Sequence, residues 1–294
     1  MRNLRLLAMT FIALFAFAGC EKVVLDEEST TDETKAADGN VIIRASLYNI
    51  VPFDTRAGVS LTDYCSTIQF VIYQNGEKVK GITQKKGESS YGQAALTLSP
   101  GTYQLLVLAH NCQLGNPTVS NPSTIQFTNT GSGYSDTFYY YGDLQVTEEQ
   151  GTHDITLERA VSMVRITITD AIPAEVTKIR LYYEGESGVF NAVTGMGGTT
   201  NSKQSINYNV QGYSAPLSLG AYTFLRNEEG TLTMTITAFD SKDNVIAEKQ
   251  LTDVPMKNRM MTEYSGRLFS EASASATIVL SADTEWKVYR QLTF

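Results

Sequence analysis

From Val41 to the C-terminus the chain repeats one pattern: short runs with apolar residues at every second position, cut by Gly, Pro, Asn and Asp, with no sustained 3.6-residue period. Side chains alternate between the two faces of a strand, so this spacing specifies half-buried strands and excludes a helical bundle. The run "NVIIRASLYNI" is a first strand. "STIQFVIYQNGEKVKGI" reads as two strands joined at Asn75-Gly76, a dipeptide suited to a two-residue hairpin turn. "AALTLSPGTYQLLVLAHN" reads as a second pair around Pro100-Gly101, and "GTLTMTITAFDSKDNVIAEKQL" as a hairpin around Asp243-Asn244. "FYYYGDLQV", "HDITLERAVSMVRITITD" and "VTKIRLYYEG" add strands, and "RMMTEYSGRLF", "SATIVL" and "EWKVYRQLTF" finish the chain. In the last run Trp286, Val288, Leu292 and Phe294 share one face, with Arg290 as the exception. Two polar stretches, Asn111 to Thr137 and Glu184 to Gln204, read as long loops. The expected fold is all-β, two β-sandwiches in tandem with one packed face per sheet, residues 40–157 and 158–294, the boundary lying near Glu158.

Ahead of these strands lies a different segment. Leu6 to Ala18 is an apolar run of 13 residues, about 20 Å as a helix at roughly 1.5 Å per residue, against a hydrocarbon core of about 30 Å. It is too short to span a bilayer. Arg2 and Arg5 precede it and the small residues Ala18 and Gly19 follow, so residues 1–19 read as a secretory signal. The sequence "FAGC" resembles the bacterial lipoprotein box, with Phe17 where that box usually carries Leu. The resemblance implies thioether lipidation of Cys20, which becomes the first residue of the mature protein; the plainer alternative is an ordinary cleaved signal. Acylation implies retention at a membrane surface, since two or more chains hold where one does not. Residues 21–39 contain seven acidic and two basic side chains with few apolar ones. They bury too little to offset ordering entropy, so 20–39 is expected to be a flexible tether. Acidic residues after such a cysteine resemble an outer-surface export signal, which implies the outer membrane and cell surface.

Charge narrows the partners. The chain carries −8 overall, and loss of the signal leaves 21 basic against 31 acidic residues, near −10. Nucleic acid is not an expected partner, because its binding rests on Lys and Arg neutralising phosphates. With Cys20 acylated, Cys65 and Cys112 remain, either as a disulfide or as two thiols. Only two histidines exist, His110 and His153. His110 and Cys112 lie two apart in "HNC" and would face the same side of an extended chain, but no third residue is identifiable to orient the imidazole. His153-Asp154 makes a triad by arithmetic only. No His/Cys spacing for a metal and no phosphate-cradling glycine loop occurs, so no cofactor and no catalytic residue is expected. The cluster "GYSDTFYYYG" raises a glycan-binding alternative, in which aromatic faces stack on sugars. Strand alternation instead turns Phe138 and Tyr140 to the core and leaves Tyr139 and Tyr141 outside.

Four segments, "IQFVIYQNGEKV", "LSPGTYQLLVLAHN", "ITLERAVSMVRITIT" and "VPMKNRMMTEYSGRLF", in this order around the midpoint Arg159, resemble the fimbrillin superfamily, the subunits of type V pili of Bacteroidota, and within it the anchor and accessory lipoproteins. The resemblance implies two transthyretin-like, Greek-key sandwiches, a place in the fimbrium, and assembly with other fimbrial subunits by strand exchange, with a host or bacterial surface ligand as a further partner. The first strand, Asn40 to Val51, and the last, Glu285 to Phe294, are the candidate interaction strands. In the family's stalk subunits an Arg-specific protease removes the first strand, and "PFDTRAGVS" places Arg56-Ala57 at the corresponding point. Anchors keep both lipid and strand. An exposed loop arginine is the ordinary alternative for Arg56.

Overall fold

The computed structural model describes residues 39–47, 60–112, 115–128, 133–199, 201–270 and 288–294. The strands are β1 (Val41–Leu47), β2 (Thr67–Gln74), β3 (Glu77–Lys85), β4 (Gln93–Leu96), β5 (Gly101–His110), β6 (Ile125–Gln126), β7 (Thr137–Val146), β8 (Gly151–Arg159) and β9 (Ser162–Ile168). They continue as β10 (Lys178–Ser187), β11 (Val189–Asn191), β12 (Met196–Gly197), β13 (Asn201–Asn209), β14 (Leu217–Thr223), β15 (Glu229–Phe239), β16 (Val245–Lys257), β17 (Met261–Gly266) and β18 (Val288–Thr293). One helical turn, α1 (Leu61–Tyr64), precedes β2; the Ser60 hydroxyl caps it by accepting from the Thr62 N–H.

The first seven-stranded sheet runs β3-β2-β5-β7-β8-β1-β4. β7 and β8 share only two residue pairs, Phe138↔Arg159 and Tyr139↔Glu158. The sheet therefore folds over at that corner, and β3-β2-β5-β7 faces β8-β1-β4 across a core of Ile43, Ile68, Phe70, Leu105, Phe138 and Leu157 among others. Two four-stranded sheets, β13-β10-β15-β16 and β14-β9-β17-β18, enclose a second core that includes Ile166, Leu181, Tyr183, Met234 and Ile236.

The hairpins expected from turn chemistry form. Asn75 and Gly76 both have positive φ (53° and 82°), the turn whose twist matches the strands, and Gln74 faces Glu77 across it. Asp243 (φ 64°) turns β15 into β16. Pro100-Gly101 does not close a hairpin. β4 pairs with β1 and β5 pairs with β2 and β7, so this turn carries the chain from one layer to the other. The stretch Glu184 to Gln204 is not one loop either, since β11 and β12 pair within it and β13 opens at Asn201.

The expectation of one packed face per sheet also fails. β2 and β5 are buried on both faces: Phe70, Ile72, Leu105 and Val107 enter the first core, while Val71, Tyr73, Leu106 and Leu108 enter a third one. That third core lies between the outer face of β2-β5-β7 and residues of the later strands, including Phe190, Phe224 and Met261. The unbroken apolar runs "FVIY" and "LLVLA" are the composition that double burial needs. The polar stretch after His110 supplies Val119, Ile125, Phe127 and Tyr134 to the same core, and its β6 pairs with β11. Residues on both sides of Glu158 accordingly belong to one unit, Ala37–Phe294.

Candidate functional site

β1 is an internal strand. It runs parallel to β8 through seven pairs, Val41↔Gly151 to Leu47↔Leu157, and antiparallel to β4 from Val41↔Leu96 to Arg44↔Gln93. Val41, Ile43 and Leu47 point into the core and Arg44 points out. Its N-terminal end is clamped: the Asn40 amide donates to Leu98 O (2.8 Å) and accepts from Leu98 N (3.0 Å), and Gly151 N donates to Asn40 O (2.9 Å). Burying these three side chains contributes about 5–9 kcal/mol, at roughly 1.5–3 each. Withdrawal of β1 would also leave β8 and β4 with unpaired backbone groups facing an apolar slot.

β18 is an edge strand, parallel to β17 and bonded to no other described strand. Leu292 and Phe294 pack against the second core. Gly266 carries the close approach, because a Cβ there would lie 2.1 Å from Phe294 O. The Asp170 carboxylate accepts from the N–H groups of Leu268, Phe269 and Ser270 (2.8–2.9 Å) and from the Ser270 hydroxyl (3.0 Å), fixing the turn after β17. Partial burial pushes its pKa up, but the three backbone donors outweigh this and hold it below the usual carboxylate range.

Cys20, Arg56, Ala57, Glu285 and Trp286 lie outside the described residues. Cys65 and Cys112 are both free thiols; Cys65 sits in the first core and Cys112 packs against the third. His110 is fully buried, and its Nδ1 accepts from the backbone N–H of Cys112 (3.1 Å), while the Cys112 thiol lies at 3.6 Å from the Ser135 hydroxyl. Burial, and secondarily the Lys85 charge, lowers its pKa to about 4, while burial raises that of Cys112. A neutral imidazole beside a protonated thiol is not an activated nucleophile. Among the described residues no group of His, Cys, Asp and Glu is placed to hold a metal.

The tyrosine cluster is interior. Phe138 and Tyr140 face the first core as alternation requires, but Tyr134 (6% exposed) and Tyr139 (8%) are buried in the third, with Tyr141 packed against it. They form no platform for sugars. The residues that join the two halves were not evident from spacing. Arg159 donates twice to Asp136 (Nε–Oδ1 and Nη2–Oδ2, both 2.8 Å) and lies over the Phe138 ring where β7 meets β8. Arg259, between β16 and β17, donates to the Tyr139 hydroxyl (2.8 Å) and to Glu158. The signal for the first pair is a lone Arg and a lone Asp flanking apolar strands, and nothing local links them.

A family model described as a family of unknown function, DUF6562, matches residues 24–291. No curated protein matches the chain. Among solved structures, a candidate adhesin from Bacteroides ovatus has a TM-score of 0.47 at 14% identity, covering 81% of this chain and 88% of its own. The fimbrial anchor protein Mfa2 from Porphyromonas gingivalis has a TM-score of 0.41 at 11% identity, covering 72% and 82%. The tip fimbrial protein Mfa3 from the same organism, with a C-terminal truncation, has a TM-score of 0.38 at 11% identity, covering 72% and 81%.

Proposed function

We propose that this chain, which belongs to the DUF6562 family, is a non-enzymatic cell-surface lipoprotein serving as a fimbrial anchor or accessory subunit, held by an acylated Cys20 and joined to other subunits by strand donation. The observation that carries this reading is β1: a strand near the N-terminus bonded on both sides, with its apolar side chains in the first core. The slot it fills, once vacated, takes a strand from another molecule through main-chain bonds, with alternate side chains setting the register. An anchor keeps β1 in place and offers its other terminal strand, β18, at a sheet edge. The division into domains at Glu158 is part of the proposal, with the third core as the joint.

The second reading is a polymerising stalk subunit cut after Arg56, which would free lipid and β1 together. It is favoured by the position of Arg56-Ala57 shortly after β1. The N-terminus of the protein in outer-membrane and sheared-pilus fractions, read by mass spectrometry, separates the two. An acylated Cys20 on an intact chain is the expected result; a chain starting at Ala57 would replace the anchor with the stalk.

A further inference from the structure

β3 and the residue after it carry charge that no carboxylate among the described residues answers. Lys78, Lys80, Lys85 and Lys86 are four of the chain's twelve lysines and fall within nine residues, in a chain of net charge −8. All four are exposed: Lys78, Lys80 and Lys85 lie on a strand at the open edge of the first sheet, Lys80 and Lys85 on its opposite faces, and Lys86 follows directly after its end. No described carboxylate lies at ion-pair distance from any of them, whereas Lys178, Lys203 and Lys257 each have one. Their placement is nonetheless ordered by neutral groups. Lys80 Nζ donates to Thr97 O (3.1 Å) and Lys85 Nζ to Thr67 Oγ1 (2.9 Å). Lys78 folds back over Gly81, where a Cβ would come within 3.0 Å of its Cε.

We infer that this stripe is a binding site for a linear acidic polysaccharide, sulfated or carboxylated, lying along the β3 edge. The stripe is roughly 25 Å long at about 3.3 Å per residue. An acidic peptide strand fits it less well, because the extra residue Val79 breaks the register opposite Ile72 and Tyr73, and edge lysines oppose strand addition. Lysines without arginine read charge as points and do not supply the planar fork that defined phosphates select.

The test is binding of the full chain, in detergent, to labelled dextran sulfate and polygalacturonate, with uncharged dextran, duplex DNA and phosphatidylserine vesicles in parallel at low salt. Lys78→Gln/Lys80→Gln is compared with Lys242→Gln/Lys249→Gln, which changes net charge equally on another exposed hairpin. The expected result is binding to both acidic polysaccharides and not to dextran, weakened steeply by salt and about tenfold by the stripe variant alone. No binding, equal loss in both variants, or binding confined to DNA or vesicles would overturn the inference. So would a stripe variant that self-associates while still binding, since the lysines would then only guard the edge. The outcome is independent of whether the chain is an anchor or a stalk.

Discussion

Arg159 shows how much one side chain can hold at a corner. Its bidentate bond to Asp136 is largely buried, with side-chain exposures of 9% and 13%. Truncating one member of such a pair leaves the other charged and unsatisfied, so Arg159→Ala is expected to lose about 3–5 kcal/mol, read as a lower urea midpoint with an unchanged slope. Two other residues contribute to the acid response. His110 has a pKa lowered to about 4 by burial, so the folded state binds fewer protons than the unfolded one between that value and about 6.5. Stability should therefore be complete above about pH 6.5 and decline towards pH 4, and His110→Gln should flatten that limb of the profile. Asp170, also lowered, acts further down: its contribution is present above the unfolded value of about 3.9 and is lost as pH falls through the folded one. Chemical denaturation at stepped pH should separate the two limbs, with Asp170→Asn weakening only the lower one.

At the level of elements, β1 and β18 differ in how they are held. β1 is bonded on both sides, while β18 has one partner among the described strands and rests its Leu292 and Phe294 on the margin of the second core. Gly266→Val puts a side chain where Phe294 now lies and should dislodge β18 while the remaining strands persist. Limited proteolysis would then cut the C-terminal strand in the variant under conditions that spare it in the parent. Unchanged protection would mean that β18 is held by contacts other than its pairing with β17. The hairpins β2–β3 and β15–β16 were legible from Asn75-Gly76 and Asp243-Asn244, because both turns are set by the conformations these residues themselves tolerate. The Pro100-Gly101 turn departs from the hairpin expected there for the converse reason. It too is a turn, but its own chemistry does not say whether the chain returns beside the same strand or crosses to the facing layer.

For the whole molecule, the third core decides whether the two halves behave as one body. Phe224 is central to it, with Phe127, Phe190 and Tyr134 at ring-centroid distances of 4.6–5.4 Å. Phe224→Ala should cost about 3–5 kcal/mol. The parent should melt in one calorimetric transition, and the variant should split into two as the halves lose their shared core. A parent that already shows two transitions would make this core a loose joint. By itself the sequence determined the strand content and the local hairpins, because period-two burial and turn conformation are properties of neighbouring residues. Only the tertiary structure decided that β1 sits between β8 and β4, that Asp136 meets Arg159, and that Tyr139 is buried. Those outcomes depend on surfaces brought together from distant parts of the chain, and a strand's own alternation names two faces without saying what will cover either.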